Sequence, residues 1–213
     1  SDYAFRGCDS LVSLVGLSNC IYIGEGAFFE CASLETVVLH ARITALPDYV
    51  FYKCSRLYRV DFPLMLESIG RSAFYKCTML KALDFWKVDE KGTVDEVTPF
   101  LTSIGKYAFY GCTNLERINF PGKLSEISEY AFSHCEALLA VTIPDNINGV
   151  AVTGIGENAF AGLRCVESVR TESSPENSIF ELPESLKEIG ARAFQNCFAD
   201  GVDAKVKIPK TVR

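Results

Sequence analysis

A phenylalanine with a small residue before it and a cysteine three places after it recurs from one end of the chain to the other. Counting two imperfect copies, it falls at Phe5, Phe28, Phe51, Phe74, Phe109, Phe132, Phe160 and Phe194, with spacings of 23, 23, 23, 35, 23, 28 and 34 residues. Four of the seven intervals are identical, and the rest exceed 23 by 12, 5 and 11. A fixed unit that tolerates inserted loops behaves this way. The cleanest copies run from Leu101 to Pro121 and from Leu124 to Pro144. The first reads L-x-x-I-x-x-x-A-F-x-x-C-x-x-L-x-x-I-x-F-P, and the second keeps every apolar place, with Val141 and Ile143 in the last two.

A unit this short cannot bury its apolar side alone, but stacking each turn on the next makes a continuous core. The segment ending in Ile118 and Phe120, or in Val141 and Ile143, alternates with period two, as a strand with one buried face does. Pro63, Pro121 and Pro144 follow these strands, where a residue without an N–H ends the ladder. The next segment, L-x-x-I, leads into the tight Ala-Phe-x-x-Cys piece, expected to hold a short strand and a 3₁₀ or single helical turn. The expected fold is a right-handed solenoid of about eight 23-residue turns. It would be mostly β with short 3₁₀ or helical segments, rising about 4.8 Å per turn, with parallel strands pairing between turns.

These residues resemble the BspA-like, or treponemal-type, leucine-rich repeats of bacterial surface proteins, and the resemblance covers nearly the whole chain. The Ala-Phe-x-x-Cys element carries it. The resemblance implies a single repeat domain over residues 1–213, on the cell surface or secreted, whose activity is binding rather than catalysis and which needs no cofactor. It implies adhesion to a protein or glycan on a host or bacterial surface. The competing reading is a spacer array that projects another domain and has no ligand of its own. The copies are not uniform: Val50 replaces Ala, Leu163 replaces Cys, and the stretch after Cys197 is about three residues too long before its strand. Both ends cut through a unit, so a fragment of a longer array is expected.

Charge and length exclude other classes. Lys and Arg number 21 against 27 Asp and Glu, a net charge of -6, which leaves no basic surplus for nucleic acid. No apolar run reaches the roughly 18 to 20 residues that span a bilayer, so no membrane insertion is expected in this segment. Oligomeric state is not legible.

Seven of the nine cysteines (Cys8, Cys31, Cys54, Cys77, Cys112, Cys135 and Cys197) share one column of the repeat. Their side chains should stack inward as small apolar residues. Parallel Cβ vectors about 4.8 Å apart are wider than the roughly 3.5–4.5 Å a disulfide needs, so free thiols are favoured. A disulfide through the off-column Cys20 or Cys165 stays open, as does a minor metal or redox use. His134 precedes Cys135, but a ladder thiol is more often buried than nucleophilic, and no catalytic or metal-binding motif accompanies the pair. The acidic stretch from Asp89 to Glu96 reads as a solvated loop, because Lys91 interrupts the alternate oxygen ligands of a calcium loop.

Two surfaces could hold a ligand. On the strands, outward positions include Arg59 and Asp61, Asp84, and Arg117 and Asn119, which form adjacent rungs of one open sheet. The insertions, roughly Trp86 to Val97, Asp145 to Val150 and Thr171 to Glu181, share one place in the unit and should emerge on one rim. Trp86 opens the longest and would serve as an anchor or as a cover for the sheet edge. The expected ligand-binding set is therefore Arg59, Asp61, Asp84, Trp86, Arg117 and Asn119, against the alternative of a plain solvated sheet. Tyrosines two places before and one place after the column Phe form either an aromatic binding stripe or stacks between turns; stacking is the favoured reading.

Overall fold

The computed structural model describes residues 1–14, 20–63, 65–85, 100–120, 123–138, 140–143, 151–164, 168–171, 179–198 and 205–213. Two strands arise from most units. The first series is β1 (Ser13–Leu14), β2 (Thr36–Val38), β4 (Arg59–Asp61), β6 (Ala82–Asp84), β8 (Arg117–Asn119), β10 (Ala140–Ile143) and β12 (Ser168–Thr171). The second follows the L-x-x-I segment: β3 (Ala45–Leu46), β5 (Ser68–Ile69), β7 (Ser103–Ile104), β9 (Glu126–Ile127), β11 (Gly154–Ile155) and β14 (Glu188–Ile189).

Every pairing is parallel. The first series forms the ladders β1-β2-β4 and β6-β8-β10-β12, and β4 lies beside β6. The second forms β3-β5-β7 and β9-β11-β14. Register follows the repeat: Val37 opposes Val60, Leu83 opposes Ile118, and Ile118 opposes Val141. A parallel ladder places like positions opposite one another, so the apolar place of each unit extends one buried row. Val37, Leu83, Ile118 and Val141 are all buried.

The Ala-Phe-x-x-Cys segments correct one expectation. Among the described residues they contain no 3₁₀ or helical turn; they are successive tight turns. In all eight units the residues two before and two after the Phe have positive φ, as at Tyr49 and Lys53 (both 57°). A 3₁₀ helix needs an unbroken run of right-handed φ values, which this alternation forbids. Hydrogen bonding alternates with it. The N–H groups of Tyr52 and Cys54 close turns onto Tyr49 and Phe51, whereas those of Tyr49, Phe51 and Lys53 reach the carbonyls of Arg71, Ala73 and Tyr75 in the next unit. A third ladder thus runs the length of the stack, and its bonds offset the roughly 1 kcal/mol that each left-handed residue with a side chain costs.

Inside, the phenylalanines form a spine. From Phe5 to Phe194 neighbouring rings lie 5.1–5.7 Å apart, within 12° of parallel except for Phe51 and Phe74 at 26°. Phe51, Phe74, Phe109, Phe132 and Phe160 are fully buried. The column glycine after L-x-x-I marks a close approach of adjacent units: a Cβ on Gly105 would lie 2.7 Å from the Arg71 backbone nitrogen.

The third insertion also differs from expectation. Residues from Thr171 to Glu181 were expected to be a loop, yet Thr171 closes β12 and Ile179–Glu181 forms β13. β13 pairs in parallel with β15 (Lys205–Lys207), Phe180 opposite Val206. The chain after Phe160 therefore visits the sheet twice. Val169 stands in register with Val141, and Phe180, followed by Leu182 and Pro183, stands in register with the last unit.

Candidate functional site

The first-series strands place the expected site residues in two rows. Arg59 opposes Thr36 and Asp61 opposes Val38, while Arg117 opposes Ala82 and Ala140. In the second row Asp84 opposes Asn119, which opposes Thr142. Because β4 lies beside β6, the two groups are neighbours on one sheet. Arg117 is exposed on a rung bounded on both sides by alanine positions.

Arg59 and Asp61 satisfy each other. Nε of Arg59 donates to Oδ1 of Asp61 at 2.8 Å and Nη2 donates to Oδ2 at 3.1 Å, a two-pronged pair within one strand. Hydrogen bonding to Asp61 raises the Arg59 pKa further. Opposite charges two residues apart on a strand share a face, and that spacing was the signal in the sequence for this pairing. Trp86, the stretch from Asp89 to Glu96, and the other two insertions (86–97 and 145–150) lie outside the described residues.

The turn ridge carries the aromatic columns, and the rings do stack between turns. Phe29, Tyr52, Tyr75 and Tyr110 lie 4.5, 4.8 and 4.9 Å apart in sequence along the stack, within 11° of parallel. Tyr107 and Tyr130 form a second stack at 4.7 Å. Arg6 sits 5.0 Å over Phe29, Lys53 5.4 Å over Tyr52 and Lys76 5.7 Å over Tyr75. These tyrosines are half-buried, with their ring faces covered by neighbours.

The cysteine column has a role beyond filling space. The thiols of Cys31, Cys54, Cys77, Cys112, Cys135 and Cys197 each donate to a Phe carbonyl of the preceding unit, at 2.8–3.3 Å. All eight described cysteines are free, including Cys20, whose thiol donates to the Tyr22 carbonyl. Cys20 is not off the pattern, since it stands in the Leu place of L-x-x-I ahead of Ile23 and Phe28. Cys165 lies outside the described residues. Burial pushes the Cys54 and Cys197 thiols up to about 12 and raises those of Cys77, Cys112 and Cys135 as well. His134 and Cys135 form no dyad: the imidazole is exposed and meets the Tyr110 ring edge-on at 5.3 Å, while the thiol turns inward to the Phe109 carbonyl.

Short parallel strands and tight turns repeated about one apolar spine define a leucine-rich repeat protein. The chain belongs to the family described as BspA type leucine rich repeat region (6 copies), which it matches over residues 1–92 and 96–212. No curated protein matches the sequence. Three solved structures share the fold. A leucine-rich repeat protein from Bacteroides ovatus is 24% identical with a TM-score of 0.60, over 89% of this chain and 48% of that one. The leucine-rich repeat protein TpLRR of T. pallidum is 22% identical with a TM-score of 0.61, over 91% and 78%. The pneumococcal vaccine antigen PcpA is 16% identical with a TM-score of 0.54, over 94% and 55%. The chain thus spans about half the length of the B. ovatus protein.

Proposed function

We propose that this chain is an extracellular binding module of a bacterial surface protein, holding a protein or glycan of a host or bacterial surface on its first-series sheet. The observation that carries the reading is the register that sets Asp84, Arg117 and Asn119 on adjoining rungs of one sheet, beside the Arg59–Asp61 pair. A solenoid offers such a sheet as an extended surface, and Arg117, flanked by alanine positions, is exposed on it. Trp86, two residues after β6 in the sequence, is assigned the aromatic contact in this reading. The architecture is a right-handed stack of about eight units in one domain. That PcpA is described as a vaccine antigen supports a surface location here.

One observation favours the spacer alternative: Arg59 and Asp61 neutralise each other, which removes one charged pair from the ligand's reach. Probing an array of matrix proteins, bacterial surface fractions and glycans with parent, Arg117→Ala and Trp86→Ala proteins separates the two. The binding reading requires that a ligand be captured and that both substitutions weaken it without lowering the melting midpoint. No capture, or capture indifferent to both, favours the spacer.

A further inference from the structure

The turn ridge of the units around Phe51, Phe74 and Phe109 is a second surface, built from the turn segments and not from the strand rows. Residues 48–53, 71–76 and 106–111 hold five of the chain's nine tyrosines and four cations (Lys53, Arg71, Lys76 and Lys106) against one carboxylate, Asp48. Counting Glu30 and Glu129, which pair with two of these cations, four cations stand against three carboxylates, a small positive surplus in a chain of net charge -6.

The acids around the ridge are occupied. Asp48 accepts the Arg71 backbone N–H at 2.7 Å, Glu30 takes Lys53 at 3.1 Å, and Glu129 takes Lys106 at 2.5 Å. Arg71 and Lys76 have no ion pair among the described residues. Gly111 keeps the surface beside Lys76 low, since a Cβ there would meet the lysine's Cγ at 3.2 Å.

The tyrosines add to the same sign. With ring faces covered by stacking, Tyr52, Tyr75 and Tyr110 turn their edges outward, and the edge is the electropositive part of an aromatic ring. Their hydroxyls make no hydrogen bond among the described residues, unlike that of Tyr3, which donates to Glu25. The ridge is therefore a row of stacked phenols, their ring centroids 4.8 and 4.9 Å apart, bordered by two cations that have no ion pair among the described residues.

We infer that this ridge binds an anionic polysaccharide, its sulfate or carboxylate groups on Arg71 and Lys76 and its oxygen acceptors on the tyrosine hydroxyls. A single-stranded nucleic acid would need open ring faces for its bases, and here those faces are covered. A protein partner would need an apolar anchor, and the ridge presents polar edges instead.

The test is calorimetric titration with a heparin oligosaccharide at low and at physiological salt, with neutral dextran, polyglutamate and duplex DNA as comparators. Heparin should bind, and binding should weaken as salt rises. The double variant Arg71→Gln/Lys76→Gln should lose about tenfold or more in affinity at an unchanged melting midpoint. Tyr75→Phe keeps the stack and should lose a few-fold. Arg117→Ala, on the other surface, should bind heparin like the parent, so this inference stands or falls apart from the strand-face reading. Absence of heparin binding at low salt, or a double variant that binds like the parent, overturns it. So does polyglutamate or DNA binding as tightly as heparin, which would make the ridge a general polyanion surface.

Discussion

The buried thiols make the fold sensitive to alkali, with a magnitude set by their burial. A thiol ordinarily titrates at 9.0, and burial raises Cys54 and Cys197 to about 12 and lifts Cys77, Cys112 and Cys135 in the same direction. A pKa higher in the folded than in the unfolded chain means that stability is fully present below the unfolded value and is lost as pH climbs towards the folded one. At pH 10 each unfolded thiol is about ten parts thiolate to one part thiol while its folded counterpart is still neutral, which removes on the order of 1 kcal/mol per thiol. Five such thiols together remove several kcal/mol, comparable with the whole stability of an ordinary domain. Melting followed by circular dichroism from pH 7 to pH 10, in reductant, should show the midpoint falling steeply above pH 8.5. Cys77→Ala/Cys112→Ala, with two titrating groups removed, should start less stable and fall less steeply. A midpoint level to pH 10, or equal slopes for parent and double variant, would refute the reasoning.

Four further outcomes follow from the packing. Phe109, fully buried between Phe74 at 5.1 Å and Phe132 at 5.3 Å, should cost about 3–5 kcal/mol on replacement by Ala, read as a lowered denaturant midpoint. In native buffer, a thiol reagent should label partly exposed Cys8 and Cys20 and spare Cys54, Cys77, Cys112 and Cys135 until denaturant is added. Lys53→Gly gives up a surface ion pair but relieves a φ of 57°, so the melting midpoint should hold or rise by the equivalent of up to about 1 kcal/mol. Gly105→Val places side-chain atoms against the Arg71 backbone and should destabilise by about 1–3 kcal/mol by the same measure.

The unit, the Phe spine, the parallel strand register and the inward thiol column were all legible in the sequence. Each rests on an apolar residue repeating at fixed spacing, and burial by stacking admits few other arrangements. The turn ladder was not legible. Gly7, Gly26, Gly111, Gly162, Asn158 and Asn196 carry the usual left-handed signal, but Tyr49, Lys53, Tyr107 and Tyr130 do not. Those residues are held at positive φ by hydrogen bonds to the next unit, a tertiary demand that local propensity does not register. The double visit after Phe160 did leave a trace: Phe180, Leu182 and Pro183 repeat the spacing of Ile118, Phe120 and Pro121. Of the site, the rows on the strands followed from alternation alone. The closure of Arg59 onto Asp61 required attention to charge sign along a strand, and the donor ridge required knowing which carboxylates were already engaged.

The thiol column also explains why this place in the repeat is cysteine and not a larger aliphatic residue. The Phe carbonyls from Phe5 to Phe132 already accept the N–H of the residue three places on, as Phe51 accepts Cys54 at 3.1 Å, which leaves one lone pair for a donor from the next unit. A thiol reaching it from the next unit, as Cys77 reaches Phe51 at 3.1 Å, satisfies that lone pair while remaining apolar enough to lie against the spine. A hydroxyl would carry a larger desolvation cost, and an aliphatic side chain would leave the lone pair unused. The bond is also directional, since every donor belongs to the later unit and every acceptor to the earlier one. It therefore fixes the register of each new unit against the one before. The one unit with Leu163 in this place contributes no such donor to Phe132, and it is the unit whose following chain crosses the sheet twice, through β12 and then β13. Register is transmitted there by the backbone bonds of the ridge, Phe132 N–H to the Ala159 carbonyl at 2.8 Å and Phe160 N–H to the Ala193 carbonyl at 2.8 Å, so an insertion between strands leaves the Phe spine unbroken.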